Sequence, residues 1–181
     1  MLRMDMNFCR RCGSPLTHKR DHVFACANGH TLYANSSPAV AFFLLNERNE
    51  VLVAMRALDP GKGQPDIPGG FCDKGETLEE AGARELVEEL GITPDQYTTP
   101  AYLGSGIDPY EFSGELLPVL CGLFWARVKP GRQLTINPAD DVSSANFLPL
   151  TAPELEKLYF PSLHQGLAKL REIVQLDTPA K

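Results

Sequence analysis

The sequence predicts a mixed domain of the α/β or α+β class, preceded by a small cysteine-bearing module. Three observations predict it. Short apolar runs of strand length alternate with segments whose apolar residues recur at helical spacing. Residues 1–37 differ from all that follows: they hold three of the five cysteines and three of the four histidines, carry five Lys/Arg against two acids, and lack a long apolar run. The chain has 181 residues and 43% hydrophobic content, enough for one ordinary domain plus an appendage, with a core that needs no disulfides. The expected boundaries are 1–37 for the module and 38–181 for the main domain.

The module opens on Cys9-Arg10-Arg11-Cys12-Gly13, a C-x2-C pair followed by glycine, and continues to Cys26-Ala27-Asn28-Gly29-His30, a C-x3-H pair, with 13 residues between the two pairs. Such turns aim two ligands at one point, and three Cys with one His form an established tetrahedral zinc set. Cys9, Cys12, Cys26 and His30 are the expected ligands, with His18 or His22 as alternatives for the fourth. A metal-free remnant with buried thiols is the competing reading.

In the main domain, Ala39–Leu45 and Val51–Met55 are apolar runs separated by Asn46-Glu47-Arg48-Asn49, which predicts a β-hairpin. Asp59–Gly63 and Asp66–Gly70 are rich in Pro, Gly and Asp and are expected as loops. Glu76–Leu90 is expected as a helix: Thr77 with Glu80 three residues later forms a capping box, and Gly91 is the stop signal. Val119–Val128 is a buried strand by composition, and Leu163, Leu167, Leu170 and Val174 mark a C-terminal amphipathic helix. Cys121 and Trp125 fall in the apolar strand and are expected as core. Cys72 receives no role. His164 is expected as a hydrogen-bonded surface or half-buried side chain.

The helix carries the functional argument. On a wheel of about 100° per residue, Ala83, Leu86, Val87 and Leu90 share one arc, the expected core face. Glu85, Glu88 and Glu89 share another, at i, i+3 and i+4. Like charges at that spacing repel by a few tenths of a kcal/mol per pair. No Lys occurs between 75 and 128, and Arg84 is the only cation in the helix, so an external cation is the expected neutraliser. Mg²⁺, which prefers carboxylate and water oxygens, suits that role. A solvated acidic face is the bland alternative. The preceding Pro68-Gly69-Gly70-Phe71 allows close backbone approach.

Taken together, Gly70 to Ile92 (GFCDKGETLEEAGARELVEELGI) resembles the Nudix box. Gly70, Glu76, Arg84, Glu85, Leu86, Glu88, Glu89, Gly91 and Ile92 all fall in its register. The resemblance implies an α/β/α sandwich with a mixed sheet and a box folded as loop, helix and loop. It implies Mg²⁺ or Mn²⁺ held by Glu85 and Glu89, with Glu88 and the Gly70 carbonyl assisting, and a Glu76–Arg84 pair bracing the loop. It implies metal-assisted attack of water on a phosphoanhydride. Glu88 or Glu89 could accept the proton. A later loop is the other source of a base or ligand, with Glu111, Glu115, Asp140 and Asp141 as candidates.

The cysteine module resembles the zinc ribbon that precedes the catalytic domain in some Nudix hydrolases, NADH pyrophosphatases among them, although theirs ends in a second C-x2-C. Those enzymes carry Ser-Gln-Pro-Trp-Pro-Phe-Pro after the box, where this chain has Tyr102–Pro109 (YLGSGIDP). That mismatch counts against a dedicated NADH enzyme, and the expected substrate is ADP-ribose or a related dinucleotide diphosphate, NADH among them, then nucleotide sugars, then nucleoside triphosphates. Phe42, Phe43, Tyr102, Tyr110 and Phe112 are aromatics that could stack on a base, each with core packing as the alternative.

The rival from another class is a binding module. A basic ribbon with Arg10, Arg11, Lys19 and Arg20 could hold RNA or a protein beside an inactive box. A mixed reading lets the ribbon guide a capped RNA end to an active domain. The net charge of −6 argues against general nucleic-acid or anionic-lipid binding. The absence of an apolar leader, an odd cysteine count and no spanning segment point to a soluble cytoplasmic protein with no membrane partner. The sequence leaves the oligomeric state open, with a homodimer suggested by analogy with relatives alone.

Overall fold

The computed structural model describes residues 6–176. Arg3 and Asp5, on which the reading of the N-terminus rests, lie outside them. The chain divides into two compact units, one of residues 1–37 with Pro109–Val119, the other of Pro38–Asp108 with residues 120–181.

The first unit holds an antiparallel three-stranded sheet of β1 (Leu16–Arg20), β2 (Val23–Cys26) and β3 (Thr31–Tyr33), in the order β1-β2-β3. Its small core is Cys9, Cys26 and Leu32. So little apolar surface needs a cross-link or metal to hold it.

The larger sheet is built on β4 (Ser37–Leu45), β5 (Glu50–Arg56), β6 (Pro65–Asp66), β7 (Gly69–Phe71), β8 (Ala101–Phe112), β9 (Glu115–Arg127) and β10 (Val142–Pro149), of which residues 109–112 of β8 and 115–119 of β9 fall in the first unit and nearly all the rest in the second. The main path is β10-β5-β4-β9-β8, with β6 on β5 and β7 on β4. The expected hairpin is present. Asn46 Oδ1 accepts from the backbone N–H of Arg48 and Glu50, and Asn49 takes the left-handed conformation at φ 58, a turn chemistry that asparagine tolerates. Residues 66–70, expected as loop, instead supply most of β6 and β7. Ala54 and Met55 pair with Asp66 and Pro65, and Ala39–Ala41 pair with Phe71–Gly69. Strands β8 and β9 extend well beyond the apolar run and turn at Ser113 and Gly114, both at positive φ.

Helices α1 (Leu78–Leu90) and α2 (Pro161–Leu176) cover opposite sheet faces. Alternation along β4 shows why. Val40, Phe42 and Leu44 pack with Leu86 and Leu90 of α1, whereas Ala41, Phe43 and Leu45 pack with Leu163, Leu167 and Leu170 of α2. A strand buried on both faces reads as a continuous apolar run, as Ala39–Leu45 does. Phe42 and Phe43 are thus core, as are Cys121 and, half-buried, Trp125. His164 is half-buried and bonds the Leu158 carbonyl at 2.9 Å.

Helix α1 starts two residues later than expected, but its signals operate. Thr77 Oγ1 accepts from Glu80 N–H at 3.2 Å, Thr77 N–H donates to Glu80 Oε2 at 2.9 Å, and Gly91 closes the helix at φ 70. The expected core face is corrected. Val87 is 41% exposed and Ala83 half-buried, while Ala81, Gly82, Leu86, Glu89 and Leu90 are buried. Gly82 packs so closely on Phe42 that a side chain there would touch the ring. That close approach rotates the buried stripe toward the glutamates.

Candidate active site and metal cluster

The loop before α1 is held by Arg84. Its Nε donates to Glu76 Oε1 at 2.8 Å, one terminal nitrogen to Glu85 Oε1 at 2.9 Å and Glu88 Oε2 at 2.8 Å, and the other to the Phe71 carbonyl at 2.9 Å. Glu76 Oε2 also accepts from Asp73 N–H at 2.8 Å. Five donors in a rigid fork suit this work, which lysine could not do. Hydrogen bonding to Arg84 and Asp73 holds the Glu76 carboxyl below its usual range. Contrary to the expectation of an external neutraliser for all three glutamates, Arg84 compensates Glu85 and Glu88 as well as Glu76.

Glu89 stands apart. It is 4% exposed, and its Oε2 accepts from Gly69 N–H at 3.1 Å. No Lys or Arg hydrogen-bonds to it among the described residues. Burial, then the charges of Asp141 and Glu85 and a hydrogen bond with Asp141, push its carboxyl up to about 10. Burial likewise raises Glu85. A buried carboxyl crowded by two others is stabilised by protonation or by a bound cation.

The two glycines of the loop are dictated by contacts. Gly69 sits at φ 151 against Val40, where any Cβ would strike the Val40 carbonyl. A Cβ on Gly70 would strike the Glu85 carboxylate. Gly70 therefore brings its backbone directly onto a candidate ligand.

Strand register adds three residues. On one side of β5, Asp66 pairs with Ala54; on the other, Val142 pairs with Arg56, and Ala57 N–H donates to the Asp141 carbonyl at 2.6 Å. The segment before Asp141 is tied to α1, since Ala139 N–H donates to the Glu89 carbonyl at 2.8 Å. Arg56, Asp66, Glu89 and Asp141 together line a cavity of about 10 Å³, room for roughly one water. Asp66 accepts from Ile67 N–H at 2.8 Å and pairs with Arg56, whose guanidinium lies 5.1 Å from the Phe160 ring centre. Burial outweighs that arginine and pushes Asp66 up to about 6. Asp141 was one of four candidates in the sequence. Glu111, Glu115 and Asp140 are exposed and make no hydrogen bond to the box glutamates among the described residues. Arg56 and Asp66 were missed, and a lone Arg and Asp separated by a loop give no sequence signal.

Glu85, Glu89 and Asp141 offer only hard carboxylate oxygens, the donor type that suits Mg²⁺ or Mn²⁺. Glu88 points to Arg84 with its side chain 49% exposed.

In the first unit, Cys9, Cys12, Cys26 and His30 bring one ligand atom each within 4.8 Å of one another. Cys12 Sγ lies 3.8 Å from Cys26 Sγ, and His30 Nδ1 lies 3.5 Å from Cys9 Sγ and 3.6 Å from Cys26 Sγ. Tetrahedral zinc bonds imply edges of about 3.8 Å between sulfurs and about 3.6 Å between sulfur and nitrogen, so the set fits that ion. His18 instead bonds the Asp21 carbonyl at 2.7 Å, and the His22 ring lies 5.7 Å from that of Tyr33. Hydrogen bonds from Ser14, then Asn28, lower the Cys12 thiol to about 5, preparing a thiolate ligand.

Comparison with known proteins accords with the box. The NUDIX domain model matches residues 35–168, and the chain belongs to the Nudix family of hydrolases. An ADP-ribose pyrophosphatase from Methanocaldococcus jannaschii is 38% identical over 88 residues, 48% of either chain. The human mitochondrial NAD(P)H pyrophosphatase NUDT13 is 33% identical over 127 residues, 69% of this chain and 33% of its own. The chain thus spans a third to a half of the length of these curated relatives. A Nudix hydrolase structure from Nitrosomonas europaea shares the fold at TM-score 0.69 and 21% identity, covering 97% of this chain and 96% of that one. Among the described residues no helix is long and apolar enough to cross a membrane.

Proposed function

We propose that the chain hydrolyses the phosphoanhydride of a nucleoside diphosphate linked to a second moiety, with ADP-ribose or a dinucleotide such as NADH as the preferred substrate class, using Mg²⁺ or Mn²⁺ at Glu85 and Glu89. The observation that carries this reading is Glu89, buried beside Glu85 and Asp141, with no Lys or Arg hydrogen-bonded to it among the described residues. A bound divalent ion would neutralise the diphosphate oxygens and acidify the attacking water. The chain's own residues do the rest. Arg84 fixes the Glu85 carboxylate toward the loop, and Gly69 N–H orients Glu89. Glu89, or Asp141 beside it, takes the proton from the water, and the enclosing strands keep other water out. Zinc at the Cys₃His set is structural in this reading, holding a ribbon-like module whose own core is too small to stand alone. The names of the curated relatives, an ADP-ribose pyrophosphatase and an NAD(P)H pyrophosphatase, support the substrate class.

The test is a panel of ADP-ribose, NADH, UDP-sugars and nucleoside triphosphates with Mg²⁺ or Mn²⁺, with products resolved by chromatography. The reading expects AMP with ribose 5-phosphate from ADP-ribose, and AMP with the nicotinamide mononucleotide from NADH. Silence across the panel with both metals would overturn it.

A further inference from the structure

The three-stranded sheet of the first unit has two unlike faces. Leu16, Cys26, His18, Phe24 and Leu32 fall on one: the pairs Leu16–Cys26, His18–Phe24 and Phe24–Leu32 are in register, and Phe24, Cys26 and Leu32 are buried. The opposite face carries the row Thr17–Ala25–Thr31 and the pair Val23–Tyr33, with Arg20 paired to Val23 across a register shift that follows His18. Thr17, Arg20, Thr31 and Tyr33 are all exposed, Tyr33 at 56%. This face is therefore open to solvent, with an aromatic ring and a guanidinium among its exposed groups.

Residues 6–37 are mostly cationic. Arg10, Arg11, Lys19 and Arg20 are exposed, against Asp21 as the only acid among them, while the Pro109–Val119 segment of the same unit adds the exposed Glu111 and Glu115. None of the four cations enters an ion pair among the described residues. The chain as a whole carries −6, so this cationic surface is a local departure. Zinc coordination does not need it, because the ligands are Cys9, Cys12, Cys26 and His30. The His22 ring, 5.7 Å from Tyr33, widens the aromatic edge of the platform.

We propose that this open face binds single-stranded RNA. Tyr33 stacks on a base, Arg20 and the neighbouring cations follow the phosphates, and the Thr17 and Thr31 hydroxyls meet ribose 2′-hydroxyls. An aromatic presented on an open sheet beside cations is the arrangement by which single strands are held without sequence preference. A protein-binding face would be expected to present a larger apolar centre, whereas here that face holds only Val23 and Ala25 among polar and aromatic residues. This inference does not depend on the hydrolase reading.

The experiment uses the full zinc-loaded chain and a 5′-fluorescein-labelled twelve-nucleotide oligouridylate, read by fluorescence anisotropy across a salt series, with zinc content measured for every variant. Wild-type protein binds with an affinity that falls as salt rises. Tyr33→Ala weakens binding by about 5- to 150-fold, and Arg20→Ala lowers the salt slope by about one, each with zinc retained. Thr31→Glu, an exposed change that places a negative charge on the same face, also weakens binding and decides the matter should Tyr33→Ala lose its zinc. Oligothymidylate of the same length binds more weakly. No binding of the oligouridylate at low salt, wild-type affinity in zinc-loaded Tyr33→Ala and Thr31→Glu, or equal affinity for oligothymidylate overturns the proposal. Turnover of small nucleotides is expected to be unchanged in these variants, so failure of the hydrolase reading and failure of this one are separately visible.

Discussion

Replacing Glu89 with glutamine removes the carboxyl that the fold buries beside Glu85 and Asp141. In the metal-free protein that group is held up to about 10 from an ordinary 4.5, chiefly by burial and then by Asp141 and Glu85. The folded state therefore keeps a proton that the unfolded chain releases. For a raised folded value the contribution to stability is fully present below 4.5 and is lost as pH rises toward 10. The slope is at most about 1.4 kcal/mol per pH unit. Between about pH 5.5 and about pH 8.5 this one group can thus remove at most about 4 kcal/mol from metal-free wild type. That is a large share of the roughly 5–15 kcal/mol typical of a domain. Glu85 and Asp66, both raised by burial, contribute slopes of the same sign and remain in the variant, so the difference between the two proteins reports Glu89 together with its coupling to Glu85 and Asp141. The assay is urea unfolding at several pH values in metal-depleted buffer, without a chelator that would strip the Cys₃His set, and again with excess Mg²⁺. Metal-free wild type should lose stability with rising pH more steeply than Glu89→Gln. Mg²⁺ should recover wild type and leave the variant almost unmoved, with turnover of the variant down by at least about a hundredfold. Parallel pH dependences without metal, or equal Mg²⁺ stabilisation of both proteins, would refute the reasoning.

Other perturbations separate the parts of the site. Gly70→Ala places a methyl group against the Glu85 carboxylate and should weaken Mg²⁺ dependence and lower kcat while circular dichroism stays native; a fully active variant would show that the close approach is dispensable. Arg84→Lys cannot reproduce the bonds to Glu76, Glu85, Glu88 and Phe71 and should cost about 2–3 kcal/mol in urea unfolding; a change under about 0.5 kcal/mol would assign the network no structural weight. His30→Ala should reduce zinc per chain in elemental analysis, whereas His18→Ala and His22→Ala should keep it; zinc retained in the first and lost in either of the others would move the fourth ligand.

Much of the second unit was legible because its signals are local. The capping box at Thr77 and Glu80, the stop at Gly91, and the turn chemistry at Asn46–Asn49 depend on neighbours in sequence, and each appears in the structure as written in the chain. The helix face was misassigned for a physical reason. A wheel ranks residues by hydrophobicity, and it placed Val87 inward and Glu89 outward, whereas the close contact of Gly82 on Phe42 turns Glu89 into the interior and Val87 to the surface. Gly69 and Gly70 were expected in a loop that allows close backbone approach; they lie in β7, Gly69 against the Val40 backbone and Gly70 against the Glu85 carboxylate. Arg56, Asp66 and Asp141 come together only through the pairing of β5 with β6 and with β10. Such register is set by long-range contacts that spacing does not encode. The Cys₃His set was legible in its cysteines, and its fourth member was resolved by the turn at Gly29, φ 81, which brings His30 back toward Cys26.

The most direct test is anomalous diffraction from a crystal soaked in Mn²⁺ with a non-hydrolysable ADP-ribose analogue. A manganese peak bounded by carboxylate oxygens of Glu85 and Glu89, at about the 2.0–2.3 Å expected of a hard divalent ion, is the predicted result. Ordered analogue density with no manganese beside those two side chains, or manganese only on exposed acids elsewhere, would contradict it.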